Sequence, residues 1–105
     1  MAQFSEDVRG DGLCVIRTVG ELDIAAADVF IDVVRASLSR CAIVELDLGD
    51  VTFIDSTGLG ALVRLRKEAE AKDASLYLTQ VSAATDRLLR LTGLSEVFDV
   101  RMSQA

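Results

Sequence analysis

The residues best equipped for chemistry lie in one run, Asp55-Ser56-Thr57-Gly58-Leu59-Gly60, where an apolar segment gives way to a helical pattern. Two hydroxyls and a carboxylate stand there beside two glycines. Each glycine sacrifices about 1 kcal/mol of helix propensity relative to alanine, so something favours bare backbone at this place, and close approach of other atoms is the simplest reason. A hydroxyl at a helix start sits beside unpaired amides and the positive end of the helix dipole, an environment that tolerates a phosphate. Ser56 is therefore a candidate phosphate acceptor, with Thr57 second. The same residues have a purely structural use: a serine just before a helix is an ordinary N-cap, and glycines there serve tight helix-to-sheet packing. Residue chemistry alone leaves both uses open.

Composition removes most other chemistry. None of the 105 residues is histidine, which excludes Ser-His-Asp and Cys-His arrangements and every histidine-containing zinc or haem site. Cys14 and Cys41 are each embedded in an apolar segment and cannot by themselves make a four-ligand thiolate site. They are expected to be reduced, small core groups. No lysine follows Gly58 or Gly60, so a phosphate-cradling G-x-x-x-x-G-K-[ST] loop is missing, as is the serine-hydrolase elbow G-x-S-x-G. Asp-Ser-Thr-Gly matches the short acidic motif of aspartic proteases, but that chemistry needs paired carboxylates on an all-β fold, and this chain is helix-rich. A phosphotransfer receiver with Asp47 or Asp55 as acceptor would need an acidic pair near the first strand and a lysine after a later one, and neither is evident. No metal, cofactor or catalytic residue is expected. With 17 acidic and 11 basic residues the net charge is −6, so a field attractive to polyphosphate is missing and nucleic acid is not an expected partner. No apolar run approaches the ~20 residues that span a bilayer, and the N-terminus lacks the order of a signal peptide. The expected location is the cytoplasm, without a membrane partner.

The elements that must position the run follow from periodicity. A chain this short holds one core, and 50% hydrophobic with 27% charged residues is a globular composition. Gly10-Asp11-Gly12 predicts a hairpin between strands at 3–9 and 13–19. Gly20-Glu21-Leu22-Asp23 then leads into a helix over 24–39, with Ala27, Phe30, Ile31, Val34 and Leu38 at helical spacing and Asp23 as its cap. Period-two alternation over 42–48 predicts a strand with Val44, Leu46 and Leu48 on one face and Ile43, Glu45 and Asp47 on the other. Gly49-Asp50 and the segment 51–57 follow, then a helix to about residue 72 through Leu59, Leu62, Leu65 and Ala69, with Glu68 and Lys72 as an outer i, i+4 pair. A strand over 76–81 precedes a third helix, capped by Ser82, with Ala84, Leu88 and Leu91 inward and Gly93-Leu94 as its stop. Residues 97–100 add an edge strand. Strands alternating with helices require crossovers, so the expected fold is α/β: a mixed sheet, antiparallel in its opening pair and then mostly parallel, packed against helices.

The combination of Gly20-Glu21-Leu22-Asp23, Asp47-Leu48 leading through Val51-Thr52-Phe53-Ile54 to Asp55-Ser56-Thr57-Gly58-Leu59-Gly60, and Leu88-Leu89-Arg90-Leu91-Thr92-Gly93-Leu94 resembles the STAS domain of bacterial anti-sigma-factor antagonists over residues 4–100 or so. The resemblance implies a single STAS domain occupying 1–105 and a protein that is bound and modified, with no catalysis of its own. In that family the unphosphorylated antagonist binds an anti-sigma factor that is itself a serine kinase, releasing a sigma factor. Phosphorylation switches binding off, and a metal-dependent serine phosphatase reverses the mark. By the resemblance the acceptor is Ser56. Thr57, standing where a second serine is often seen, is the minor alternative. Asp23 is then an acidic neighbour across the sheet edge, and the partner-binding set is Asp23, Asp55, Ser56, Thr57, Gly58, Leu59, Gly60 and Leu62. Family members commonly continue as a C-terminal helix where this sequence reads Arg101-Met102-Ser103-Gln104-Ala105, and the expected state is a monomer or weak dimer. The alternative is a stand-alone STAS scaffold or sensor module in a stress-signalling or other partner-switching complex.

Overall fold

The computed structural model describes residues 2–101. Its elements run β1 (Gln3–Val8), β2 (Leu13–Leu22), α1 (Ile24–Leu38), β3 (Ile43–Ile54), α2 (Ser56–Ala71), β4 (Ser75–Thr79) and α3 (Ala83–Leu91). The sheet order is β1-β2-β3-β4, antiparallel between β1 and β2 and parallel across β2/β3 and β3/β4. This is the mixed α/β sheet that the alternation of elements predicts. The edge strand expected over 97–100 is reduced to one parallel bridge, Leu78 with Val100, held by the Leu78 amide on Asp99 O and the Arg101 amide on Leu78 O, both 2.8 Å.

The inward residues of the first two helices are those that helical spacing picks out. Phe30, Val34, Leu62 and Leu65 are fully buried and join Val44, Leu46 and Leu48 in one core. The opposite face of β3 is covered at its middle and half-buried at Ile43 and Asp47. Glu45 is buried, accepting from the Tyr77 hydroxyl at 3.1 Å and the Thr79 hydroxyl at 3.3 Å. Burial and the bond to Glu45 push the Tyr77 hydroxyl pKa up, while the Arg101 guanidinium, 4.5 Å from the ring centroid, opposes the rise.

The central strands are longer than their glycines suggest. β2 continues past Val19 to Leu22, and β3 passes straight through Gly49-Asp50 to Ile54. Two register shifts between β2 and β3 absorb the irregularity, one of them beside Gly20, whose φ of +102° suits glycine. At Gly49 a Cβ would lie 2.8 Å from Gln80 O and 2.9 Å from Gln80 Cβ, so this glycine marks a close backbone approach, not a turn. As a result β2 and β3 outrun β4 and deliver the starts of α1 and α2 to the same end of the sheet.

Three other expectations change. Glu68 pairs with neither Lys72 nor open solvent: Arg35 of α1 grips it with Nε on Oε1 and Nη2 on Oε2, each 2.8 Å, and Arg64 Nε adds a 3.2 Å bond. Lys72 is the C-cap of α2. In α3 the buried residues are Thr85 and Leu89, four apart; Leu88 is half-buried and Leu91 is 74% exposed. Ser82 caps α3 through the Thr85 amide, which fixes that phase, and the Leu94 amide closes its end on Leu89 O at 2.8 Å. Cys14 and Cys41 are core residues as expected but are joined in a disulfide, with Cα atoms 5.9 Å apart across 27 positions. Their spacing in the sequence gives no hint of this, because α1 carries the chain away from β2 and back before the pair can meet.

Two predictions follow from these cross-links. The Arg35 guanidinium lowers the Glu68 pKa from 4.5 to about 2, so the stability it confers is fully present above pH 4.5 and is lost as the pH falls through about 2. Denaturant midpoints between pH 4.5 and 2 should therefore fall more steeply for the native chain than for Arg35→Gln; parallel curves would contradict the pairing. Closing a 27-residue span is worth about 3 to 4 kcal/mol in the chain-entropy picture. Reduction should lower Tm by roughly 10 to 25 °C, and calorimetry giving one Tm with and without reductant would exclude the cross-link.

Candidate functional site

The site is built where the two long parallel strands stop. Leu22 of β2 pairs with Ile54 of β3, so Asp23 and Asp55 leave the sheet side by side. Each caps a helix. Asp23 Oδ1 accepts from the amides of Ala25 and Ala26 at 3.1 and 3.2 Å, and Asp55 Oδ1 accepts from those of Thr57 and Gly58 at 2.9 and 3.0 Å. Both carboxylates are half-buried, and both stand at the positive end of a helix, where an anion is favoured.

This geometry resolves the two uses of Ser56. The N-cap of α2 is Asp55, and Ser56 is the first helical residue, exposed, with its hydroxyl making no hydrogen bond among the described residues. Ser56 is thus released from the structural role that a serine at a helix boundary ordinarily plays. The expectation of unpaired amides beside it holds only in part, because the carboxylate one position earlier already takes those of Thr57 and Gly58. Thr57 is also exposed.

The two glycines have different reasons. A Cβ on Gly58 would fall 2.2 Å from Leu22 O and 3.1 Å from Ile54 Cγ1, so α2 starts pressed against the end of β2, and only glycine fits. Around Gly60 nothing lies within 4 Å, and it faces outward. Leu59 and Leu62 are core residues. Of the set expected to face a partner, Ser56, Thr57 and Gly60 are on the surface, Asp23 and Asp55 are caps, and Gly58, Leu59 and Leu62 fix the helix from inside. Sequence reasoning missed the apolar surface next to them. Phe53, 47% exposed, borders a groove of about 400 Å³ with Ile54, Ala84, Arg87, Leu88 and Leu91. Periodicity places Leu91 inward, and Phe53 falls in the segment 51–57, to which the sequence reading gives no element. The place of Phe53 three positions before Ser56 was the available signal. Among the described residues no three metal-ligating side chains come together.

The mixed four-stranded sheet with its three helices is a fold shared with known proteins of one class. The chain matches the STAS domain family over residues 4–105 and belongs to it. Within that family it is 32% identical over 85 residues to the anti-sigma-B factor antagonist of Bacillus subtilis (strain 168), covering 81% of this chain and 78% of that one. The anti-sigma factor antagonist from Mycobacterium paratuberculosis has the same fold, with a TM-score of 0.86 at 24% identity over 99% of this chain and 88% of that chain. So does the anti-sigma factor antagonist SpoIIAA of Bacillus, solved unphosphorylated (TM-score 0.80, 97% and 90% covered) and phosphorylated (0.75, 97% and 94%), each at 20% identity.

The contrast between the glycines is directly testable by denaturant unfolding. Gly60→Ala should stabilise by about 0.5 to 1 kcal/mol, since helix propensity rises with nothing displaced. Gly58→Ala should destabilise by about 2 kcal/mol or more, because the new methyl meets a backbone carbonyl. Equal effects would contradict the close approach of α2 to β2.

Proposed function

We propose that this chain is an anti-sigma-factor antagonist that switches partners through the charge on Ser56. Unphosphorylated, it binds a serine-kinase anti-sigma factor and so releases a sigma factor. The kinase moves the γ-phosphoryl group of ATP to Ser56 Oγ: an Oγ–P bond forms, the bond from the γ-phosphorus to the bridging oxygen of ADP breaks, and the hydroxyl proton is lost. A metal-dependent serine phosphatase hydrolyses the ester and restores the binding form. The chain is ligand and substrate in this cycle, not an enzyme. The observation that carries the reading is the exposed Ser56 hydroxyl at the first position of α2, freed from capping by Asp55. The likeness to an anti-sigma-B factor antagonist supports it.

Phosphorylation adds a charge of about −1.5 to −2 beside Asp55. A partner carboxylate about 6 Å away would feel roughly 2 to 4 kcal/mol of repulsion at an effective dielectric of about 30 to 40, which weakens affinity by about 30-fold to 1000-fold. We place the cycle in the cytoplasm, where ATP is at hand, with the chain acting as a monomer or weak dimer and without direct contact to nucleic acid. Cytoplasmic thiols oppose disulfides, and the burial of Cys14 and Cys41 shields theirs from exchange.

The test is a binding assay with the serine-kinase anti-sigma factor. Ser56→Ala should bind like the native chain and resist phosphorylation, while Ser56→Asp should lose about tenfold or more in affinity through its single added charge. Equal binding by the two variants would refute the electrostatic switch.

A further inference from the structure

We infer that Asp55 is a positioning residue that keeps a phosphoryl group on Ser56 turned outward, by denying it the Thr57 and Gly58 amides of its own helix. The inference rests on Ser56 as the acceptor and adds how the mark is presented. An open helix start is an anion site, because its first amides point at whatever negative group arrives. A phosphate on Ser56 would ordinarily rotate back onto them and be partly neutralised.

Here the donors that follow Ser56 are committed, and only the Ser56 amide itself has no acceptor among the described residues. Asp55 Oδ1 takes the Thr57 and Gly58 amides at 2.9 and 3.0 Å, and Asp55 O takes the Leu59 amide at 3.0 Å. The cap cannot easily slip aside. Its own amide approaches Leu22 O at 3.5 Å, and Gly58 is packed against the same carbonyl. The neighbouring helix start is closed in the same way, with Asp23 Oδ1 on the amides of Ala25 and Ala26. A phosphate attached at Ser56 therefore meets the Asp55 carboxylate where it would otherwise meet the Thr57 and Gly58 donors, with the Asp23 cap at the neighbouring helix start. Like charge disfavours the inward rotamers, and the dianion is left facing the approaching partner with its charge unspent.

The experiment uses the whole chain with phosphoserine installed at position 56 by an expanded genetic code, so it does not depend on any kinase. Amide proton shifts are compared with and without the phosphate. In the native chain the Thr57 and Gly58 amide protons should keep their positions when position 56 is phosphorylated. In Asp55→Ala the same two amides should move downfield on phosphorylation, as they take up the phosphate oxygens. Downfield movement in the native chain would overturn the inference, and so would no movement in a folded Asp55→Ala chain. Should Asp55→Ala fail to fold, the native comparison decides alone. A kinase that marks some other residue would refute Ser56 as the natural acceptor in a phosphopeptide map and leave these spectra unchanged, so the two failures are distinguishable.

Discussion

Everything at the business end of this domain depends on one capped turn. The Asp55 carboxylate ties down the Thr57 and Gly58 amides, and Gly58 lets that turn lie against Leu22 O with no room for a methyl group between. The first contact sets where α2 begins, and the second sets how near it stands to β2. Together they put Ser56 at the first helical position with its side chain outside and no structural duty. A hydroxyl that capped its own helix could be modified only by giving up a cap worth about 1 kcal/mol. With Asp55 in that role, the proposed phosphorylation of Ser56 would cost the helix no cap.

The rest of the fold serves to hold that turn still. β2 and β3 extend beyond β4 so that both helix starts emerge at the same sheet end. Arg35 and Glu68 fasten α1 to α2 further along, and the Cys14–Cys41 link ties the return of α1 to the start of β2. On such a frame the proposed phosphorylation of Ser56 would be a local switch, its output a change of charge on a fixed surface. The apolar groove of Phe53, Leu88 and Leu91 lies along the same edge and gives that surface hydrophobic area beside the chargeable group.

Much of this was legible in the sequence, and the exceptions have physical causes. Helical spacing found Phe30, Val34, Leu62 and Leu65 because amphipathic helices on a sheet bury one stripe. Capping chemistry found Asp23 and Ser82 but assigned the start of α2 less well. Aspartate and serine stand adjacent there, either can cap, and only the phase of the helix decides between them. Period-two alternation ended the strand at Leu48, before Gly49, because the closeness of Gln80 that explains this glycine belongs to the tertiary structure. The same limit hid the Arg35–Glu68 pair and the disulfide, whose partners are 33 and 27 residues apart. In α3 a nine-residue helix offers too few turns for periodicity to separate Leu88 from Leu89. Ser56 itself was found as a candidate, whereas the reason its hydroxyl is free was visible only once Asp55 was seen to hold the cap.

The central claim, that Asp55 leaves the Ser56 hydroxyl as the chargeable group of this surface, is tested most directly by phosphopeptide mapping. The folded chain is incubated with a serine-kinase anti-sigma factor, the partner that the proposed function calls for, and ATP, and the modified residue is identified by mass spectrometry. The account predicts phosphate on Ser56. Phosphate found only on Thr57 or only outside residues 55–57, with Ser56 unmodified, would contradict it.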